Sequence, residues 1–167
     1  IELKTFVENE HTFEGKHFIV YEDVSVLDLS DLTEPFTPIG TNQFYFGGTL
    51  DGQGVNIVLD LNLPEQEYIG LFHTLNSSAV IKNLELSGTV VGESYVGALA
   101  GRNMGTIEAI TSYVTVRSND GNDIGGIVGY NEGTINGATN YGSVRMNGTY
   151  AGGITGQNTG TIHNSYN

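Results

Sequence analysis

The chain contains no cysteine. That excludes disulfides, thiol nucleophiles and zinc–thiolate sites. It accords with secretion from bacteria, where many surface proteins avoid cysteine. Positive charge is scarce as well: 6 Lys and Arg stand against 19 Asp and Glu, for a net charge of −13. Such a chain, with no basic stripe, repels phosphate backbones and anionic lipid surfaces. Neither nucleic acid nor a membrane surface is therefore expected as a partner. No apolar run approaches the length of a bilayer span, so membrane insertion is not expected. Charged residues make up only 15% of the chain. That argues against charge-driven disorder. The acidity is also uneven. Residues 1–67 hold 13 acidic and 2 basic side chains, whereas residues 68–167 hold 6 and 4.

Glycine is abundant, at 24 of 167 residues, and it recurs at a fixed interval. Three stretches are versions of one pattern: YVGALAGRNMGTIEAITSY from Tyr95, DIGGIVGYNEGTINGATNY from Asp123 and YAGGITGQNTGTIHNSY from Tyr150. A fainter copy, YIGLFHTLNSSAVIKNLEL, begins at Tyr68. The lead glycines are Gly70, Gly97, Gly125 and Gly152, evenly spaced to within a single residue. A period of about 27 residues marks a fold built by stacking one unit on the next.

Each unit divides into three short strands and three turns. In the second copy these are Val96–Gly101, the turn Arg102–Gly105, Thr106–Ile110, Tyr113–Arg117 and the Asx/Gly turn Ser118–Asp123. No segment has an amphipathic helical period. The prediction is an all-β fold: a parallel β-solenoid of the right-handed β-helix type, with about 27 residues per coil. Coils would stack about 4.8 Å apart, with equivalent residues in columns.

Four columns follow from the alignment. Leu99, Ile127 and Ile154 form one, with Phe72 a coil earlier. Ile107, Ile135 and Ile162 form another, joined by Ile81. Both should point inward, and each buried aliphatic side chain stabilises by about 1.5–3 kcal/mol. Asn103, Asn131 and Asn158 form a turn column able to pass amide hydrogen bonds between coils. Thr106, Thr134 and Thr161 form a fourth, suited to strands by their β-branching.

Residues 1–67 read as an acidic, irregular lead-in or cap plus the first coils, and 68–167 as the repeats of the same single domain. Phe18, Val20, Val24, Val26, Leu27 and Leu29 indicate short strands, and Pro35 and Pro38 an irregular connection. In GTLDGQG, the Asp51-Gly52 and Gln53-Gly54 steps are tight-turn signals. Ile1 is an unusual first residue and Asn167 falls inside a repeat, so a fragment of a larger protein is expected.

The repeats resemble the GLUG motif, named for a Gly-Leu-any-Gly core. The upstream order, PFTPIG then FGGTLDGQGVNI then YIGLFHTLNSSAVIKNLELSG, is similar to the lead-in that precedes such repeats. The combination occurs in large secreted or wall-anchored bacterial proteins. Among these are the N-terminal regions of streptococcal-type immunoglobulin A metalloproteases and various adhesins. The resemblance covers residues 13–167 and implies a secreted or cell-surface location. In the protease relatives, catalysis belongs to a separate zinc domain carrying HExxH. None of His11, His17, His73 and His163 stands in that motif, so no protease activity carries over to this chain. The parent protein could carry a separate catalytic domain.

Three functional readings remain. In the first, the chain is a non-catalytic rigid spacer or adhesion module that positions neighbouring domains, with no cofactor and no metal. In the second, its lateral face binds a host glycan or protein. Tyr68, Tyr95 and Tyr150 occupy one column, with Asp123 at the missing position. Tyr113 and Tyr141 form a second, with Tyr166 near it. Aromatic rings can stack on sugar faces, although a ladder of rings can equally pack on itself. In the third, the chain is a β-helical polysaccharide-degrading enzyme using Asp51, whose plainer role is a turn. The Ser118–Asp123 turn collects oxygen ligands suited to calcium, but its spacing matches no known calcium loop and an Asx-rich turn accounts for it.

Overall fold

The computed structural model describes residues 12–21 and 23–167. His11 and the start of the acidic lead-in lie outside the described residues. Those described form strands and no helix. The main sheet has rungs β1 (His17–Ile19), β3 (Thr49–Asn62), β5 (Val80–Val91), β7 (Thr106–Ser112), β11 (Thr134–Asn136) and β16 (Thr161–His163) in that spatial order. Four strands extend it: β2 (Val26–Asp28) on β3, β8 (Thr115–Arg117) on β5, β12 (Thr139–Asn140) on β7 and β13 (Ser143–Arg145) on β8. A second sheet stacks β4 (Phe72–Leu75), β6 (Ala100–Asn103), β10 (Val128–Asn131) and β15 (Thr155–Asn158). A two-stranded third joins β9 (Ile124–Gly125) to β14 (Ala151–Gly152). All these pairings are parallel and join consecutive coils, so the chain is a parallel β-solenoid.

The columns follow from the register. His17, Thr49, Val80, Thr106, Thr134 and Thr161 pair in turn, so the coils are longer in the lead-in than in the repeats. One residue on, Phe18, Leu50, Ile81, Ile107, Ile135 and Ile162 form an inward column through the whole stack. Strand alternation sends the next position outward, giving Asp51, Lys82, Glu108, Asn136 and His163. Water thus accepts the varied residues, while this inward column holds only aliphatic and aromatic ones.

One expectation needs correction. Phe72 pairs with Ala100, so Leu71, not Phe72, falls in register with Leu99. The small side chain of Ala100 leaves space for the Phe72 ring, and both are fully buried. The tight turn signalled by the Asp51-Gly52-Gln53-Gly54 run is a bulged corner inside β3, where the register slips between Asp51 and Val55. Gln53 and Gly54 have φ of 54° and 83° there. The equivalent corner residues Asn83, Ala109, Gly137 and Asn164 are also left-handed, with φ of 56°, 51°, 71° and 48°.

The lead-in closes one end of the core with aromatic rings. Phe13 meets Phe18 edge-on at 5.0 Å, Phe18 lies 6.2 Å from Phe46, and Phe46 lies 5.0 Å from Phe72. Phe46 and Phe72 are fully buried. These rings fill the wider first coils, whose longer loops would otherwise leave a void. At the other end, Ile154 and Ile162 are only partly buried, and Asn158 is exposed.

Candidate functional site

The first tyrosine column sits at a sharp corner. Tyr68, Tyr95, Asp123 and Tyr150 all have left-handed backbones, with φ of 58°, 55°, 61° and 63°. A β-branched residue would be strongly disfavoured there. The corner packs tightly against the following strand. A Cβ at Gly101 would lie 2.3 Å from the Tyr68 Cα, and one at Gly129 would lie 2.4 Å from the Tyr95 carbonyl carbon. Glycine in β6 and β10 therefore lets strand and corner touch.

The rings of Tyr68 and Tyr95 stack at 4.5 Å and 7°. His73 covers the other face of Tyr68, at 5.1 Å and 23°. Beyond Tyr95 the next ring comes from Tyr130, tilted at 6.3 Å. The Arg102 guanidinium lies 6.0 Å from the Tyr130 ring centre and its Nε donates to the Glu132 carboxylate. Tyr150 is not brought into this stack and is 63% exposed. The predicted ligand column is thus divided: Tyr68 and Tyr95 pack on themselves, and Tyr150 stands apart.

Asp123 makes the division. It is buried, and its Oδ1 has no hydrogen-bond partner. Burial raises its carboxyl pKa above the ordinary value. Beside Tyr68 an open cleft of about 570 Å³ is lined by Pro38, Thr41, Gln66, Tyr68 and His73, among others. Burial lowers the pKa of His73, favouring its neutral form. Its Nδ1 lies 3.0 Å from the Thr74 hydroxyl.

The second tyrosine column lies on an outward face. Tyr113 and Tyr141 stack at 5.3 Å and 18°, and are 51% and 69% exposed. Tyr166 does not extend this column. It bridges to Thr139 and exchanges backbone hydrogen bonds with Ala138 and Asn140. That register instead puts Asn167 beside Asn140, whose amide donates to it at 2.9 Å.

The acidic candidates are held by their surroundings. The Asp51 carboxylate accepts from the Asn83 amide at 2.9 Å and the Gln53 N–H at 3.1 Å, and pairs with Lys82 at 3.3 Å. The Asn83 bond is the chief cause of its lowered pKa. A carboxylate held in this way is a poor general acid. In the Ser118–Asp123 turn, the Ser118 hydroxyl donates to the Glu93 carbonyl at 2.6 Å and accepts the Gly121 N–H at 3.0 Å. Among the described residues, no group of three or more His, Asp or Glu side chains is placed to hold a metal ion.

The asparagine column is a hydrogen-bonded ladder. Asn103 Nδ2 donates to Asn131 Oδ1 at 2.8 Å, and Asn131 Nδ2 to Asn158 Oδ1 at 2.7 Å. Each also serves its own turn: Asn103 Oδ1 accepts the Gly105 N–H at 3.0 Å. The Leu99, Ile127 and Ile154 column is likewise linked, since Leu99 N–H donates to Ile127 and Ile127 N–H to Ile154. A second polar column escaped the sequence reading. Ser112, Asn140 and Asn167 recur at the repeat period, and Asn140 Oδ1 accepts the Gly142 N–H at 3.0 Å. The spacing alone carried that signal.

Fold and columns together define a repeat module of the parallel β-solenoid class, with two tyrosine stacks on its outside. Sequence comparison finds relatives but no family. No family model matches the chain. No solved structure matches it. Over 119 residues it is 34% identical to a protein of Evansella cellulosilytica named as a Gly-rich membrane protein. Over 77 residues it is 36% identical to Halomucin of Haloquadratum walsbyi. The matches cover 66% and 45% of this chain, but only 14% and 1% of those proteins.

Proposed function

We propose that this chain is a non-catalytic module of a bacterial cell-surface or secreted protein. It acts as a stiff spacer or adhesion module that holds neighbouring domains apart. The carrying observation is the unbroken inward column from Phe18 to Ile162, hydrogen-bonded between every pair of rungs. Bending such a stack would open backbone hydrogen bonds and core contacts together. The comparisons support the reading in two ways. One relative is named as a membrane protein, and the chain corresponds to a small share of each much longer relative. A module repeated or embedded within a long surface polypeptide has this pattern. The GLUG-like wording of the repeats points the same way. The neutralised setting of Asp51 supports a structural role for it rather than catalysis.

The absence of cysteine makes a direct test simple. Spin labels at Val26→Cys in the first coil and His163→Cys in the last report the end-to-end distance. A stiff spacer gives one narrow distance distribution, unchanged by moderate salt. A broad or multiple distribution would rule out the spacer role.

A further inference from the structure

The outer face of residues 113–117 and 141–145, which include β8 and β13, carries three side-chain pairs in register. Buried Val114 and Val116 alternate with outward Tyr113, Thr115 and Arg117. One coil on, Tyr141, Ser143 and Arg145 repeat the arrangement. The tyrosine rings stack, the Thr115 and Ser143 hydroxyls are 3.5 Å apart, and Arg117 pairs in register with Arg145.

The arginine pair is the anomaly. Adjacent rungs bring the two side chains to about 4.8 Å at their roots, and like charges directly opposite on paired strands oppose folding. Both are exposed, and neither takes part in an ion pair among the described residues. Yet acidic residues outnumber basic ones by 19 to 6. Glu93 and Asp120 stand in the adjoining turns, yet neither pairs with an arginine of this face among the described residues. The preceding rung offers Thr89 beside Thr115 and Val91 beside Arg117. It therefore places the small Ser87 next to Tyr113, which is half exposed.

We propose that this face binds an anionic polysaccharide bearing carboxylates, of the uronic-acid type. Its carboxylates would lie against Arg117 and Arg145, where guanidinium forks match carboxylate geometry. Thr89, Thr115 and Ser143 provide hydroxyls for sugar hydroxyls, and the exposed rings of Tyr113 and Tyr141 receive a sugar ring. From Tyr113 to Arg117 the strand covers about 13 Å, enough for more than one sugar. Duplex nucleic acid carries one charge per about 1.7 Å of axis, so a chain of net charge −13 opposes it more strongly than a polymer with one carboxylate per sugar. An acidic peptide could use the arginines but leaves the hydroxyl row and ring faces without a role. The proposal rests on the surface-module reading and gives it a ligand. The spin-label experiment tests stiffness without sugar, so the two fail separately.

The test is calorimetric titration of the intact chain with oligogalacturonate, a sulfated oligosaccharide of equal length, a neutral oligosaccharide and a poly-glutamate peptide. Oligogalacturonate should bind best and weaken as salt rises. Arg117→Gln with Arg145→Gln should weaken it by about tenfold or more. The double Lys variant should retain part of the affinity, because charge remains without the fork. Tyr141→Ala should weaken binding while leaving its salt dependence unchanged. Thermal unfolding monitors folding, and the single variant Arg145→Gln serves if the double variant does not fold. The proposal is overturned by absence of oligogalacturonate binding at millimolar concentration, or by equal binding of the neutral sugar. Unchanged affinity in the Gln variants overturns it too. Preference for the sulfated sugar overturns the carboxylate assignment, and preference for poly-glutamate the polysaccharide assignment.

Discussion

Asn131 accepts the amide of Asn103 at 2.8 Å and passes its own to Asn158 at 2.7 Å, so one side chain joins three coils. Asn103 and Asn131 are fully buried, whereas Asn158 at the stack's end is exposed. Replacing Asn131 by Ala leaves the Asn103 amide, in a dry setting, with only its longer bond to the Gly105 carbonyl at 3.3 Å. Asn131→Ala should cost about 2 kcal/mol, and Asn158→Ala about half that or less, because water replaces its partners. Urea unfolding of both variants measures the difference. Equal costs would show that burial does not set the ladder's strength.

Asp123 gives a pH signature. Its carboxyl pKa is raised by burial, so ionisation is easier in the unfolded chain than in the fold. Its favourable contribution is present in acid, where both states are protonated. That contribution is lost as pH rises from the ordinary value of 3.8 through the raised one. Asp123→Asn should therefore be the more stable protein at neutral pH, and the advantage should disappear in acid. Melting temperatures across that range decide it, and a variant less stable at neutral pH would contradict the assignment.

His73 predicts the opposite slope. Burial lowers its pKa, so its contribution is present above the ordinary value of 6.5 and is lost as pH falls through the lowered one. His73→Phe keeps an aromatic ring against Tyr68 and removes the titration. The variant should lose less stability than the parent between mildly alkaline and mildly acidic buffer. Identical pH profiles would place the titration elsewhere.

Ala109 occupies a left-handed corner at φ 51°, where its neighbour one coil on is Gly137. An alanine there carries a strain of about 1–2 kcal/mol, and glycine relieves it at an entropic cost of about 0.4–1 kcal/mol. Ala109→Gly should therefore be neutral to stabilising by about 1 kcal/mol, although glycine normally weakens a strand. The reverse holds at Gly88, with φ 102° and a Cβ that would lie 2.0 Å from the Leu59 carbonyl oxygen. Gly88→Ala should destabilise strongly. Thermal unfolding of the two single variants checks both signs.

The repeat made most of the fold legible. Ile107, Ile135 and Ile162 align by counting alone, because those coils are nearly equal in length and loops absorb the difference. Counting failed where coils vary inside a strand. Ile69 bridges to Val96, but Phe72 pairs with Ala100, so the offset between coils grows by one position between them. That step moved Phe72 off Leu99. Tyr166 involves no such step: the register of Asn136 with His163 continues unchanged to Thr139 with Tyr166, which leaves Tyr166 short of the Tyr141 position. The left-handed corner at Tyr68 and Tyr95 was not legible, because tyrosine has no local preference for that conformation. It is imposed by the close approach of Gly101 and Gly129. The tyrosine columns were visible in the sequence. That both columns stack ring on ring, the first half-buried and the second exposed, required coordinates.

The rung spacing of the β7, β11 and β16 stack also governs how such a molecule can change size. Thr106, Thr134 and Thr161 lie one above another, so duplicating the stretch of gene between two of them adds one whole storey. Each storey raises the height by about 4.8 Å and offers the next the same floor plan. Reach is therefore adjustable in half-nanometre increments by unequal recombination, without redesigning the core. A single-residue insertion within a strand, by contrast, would exchange the wet and dry sides of everything after it until the next corner.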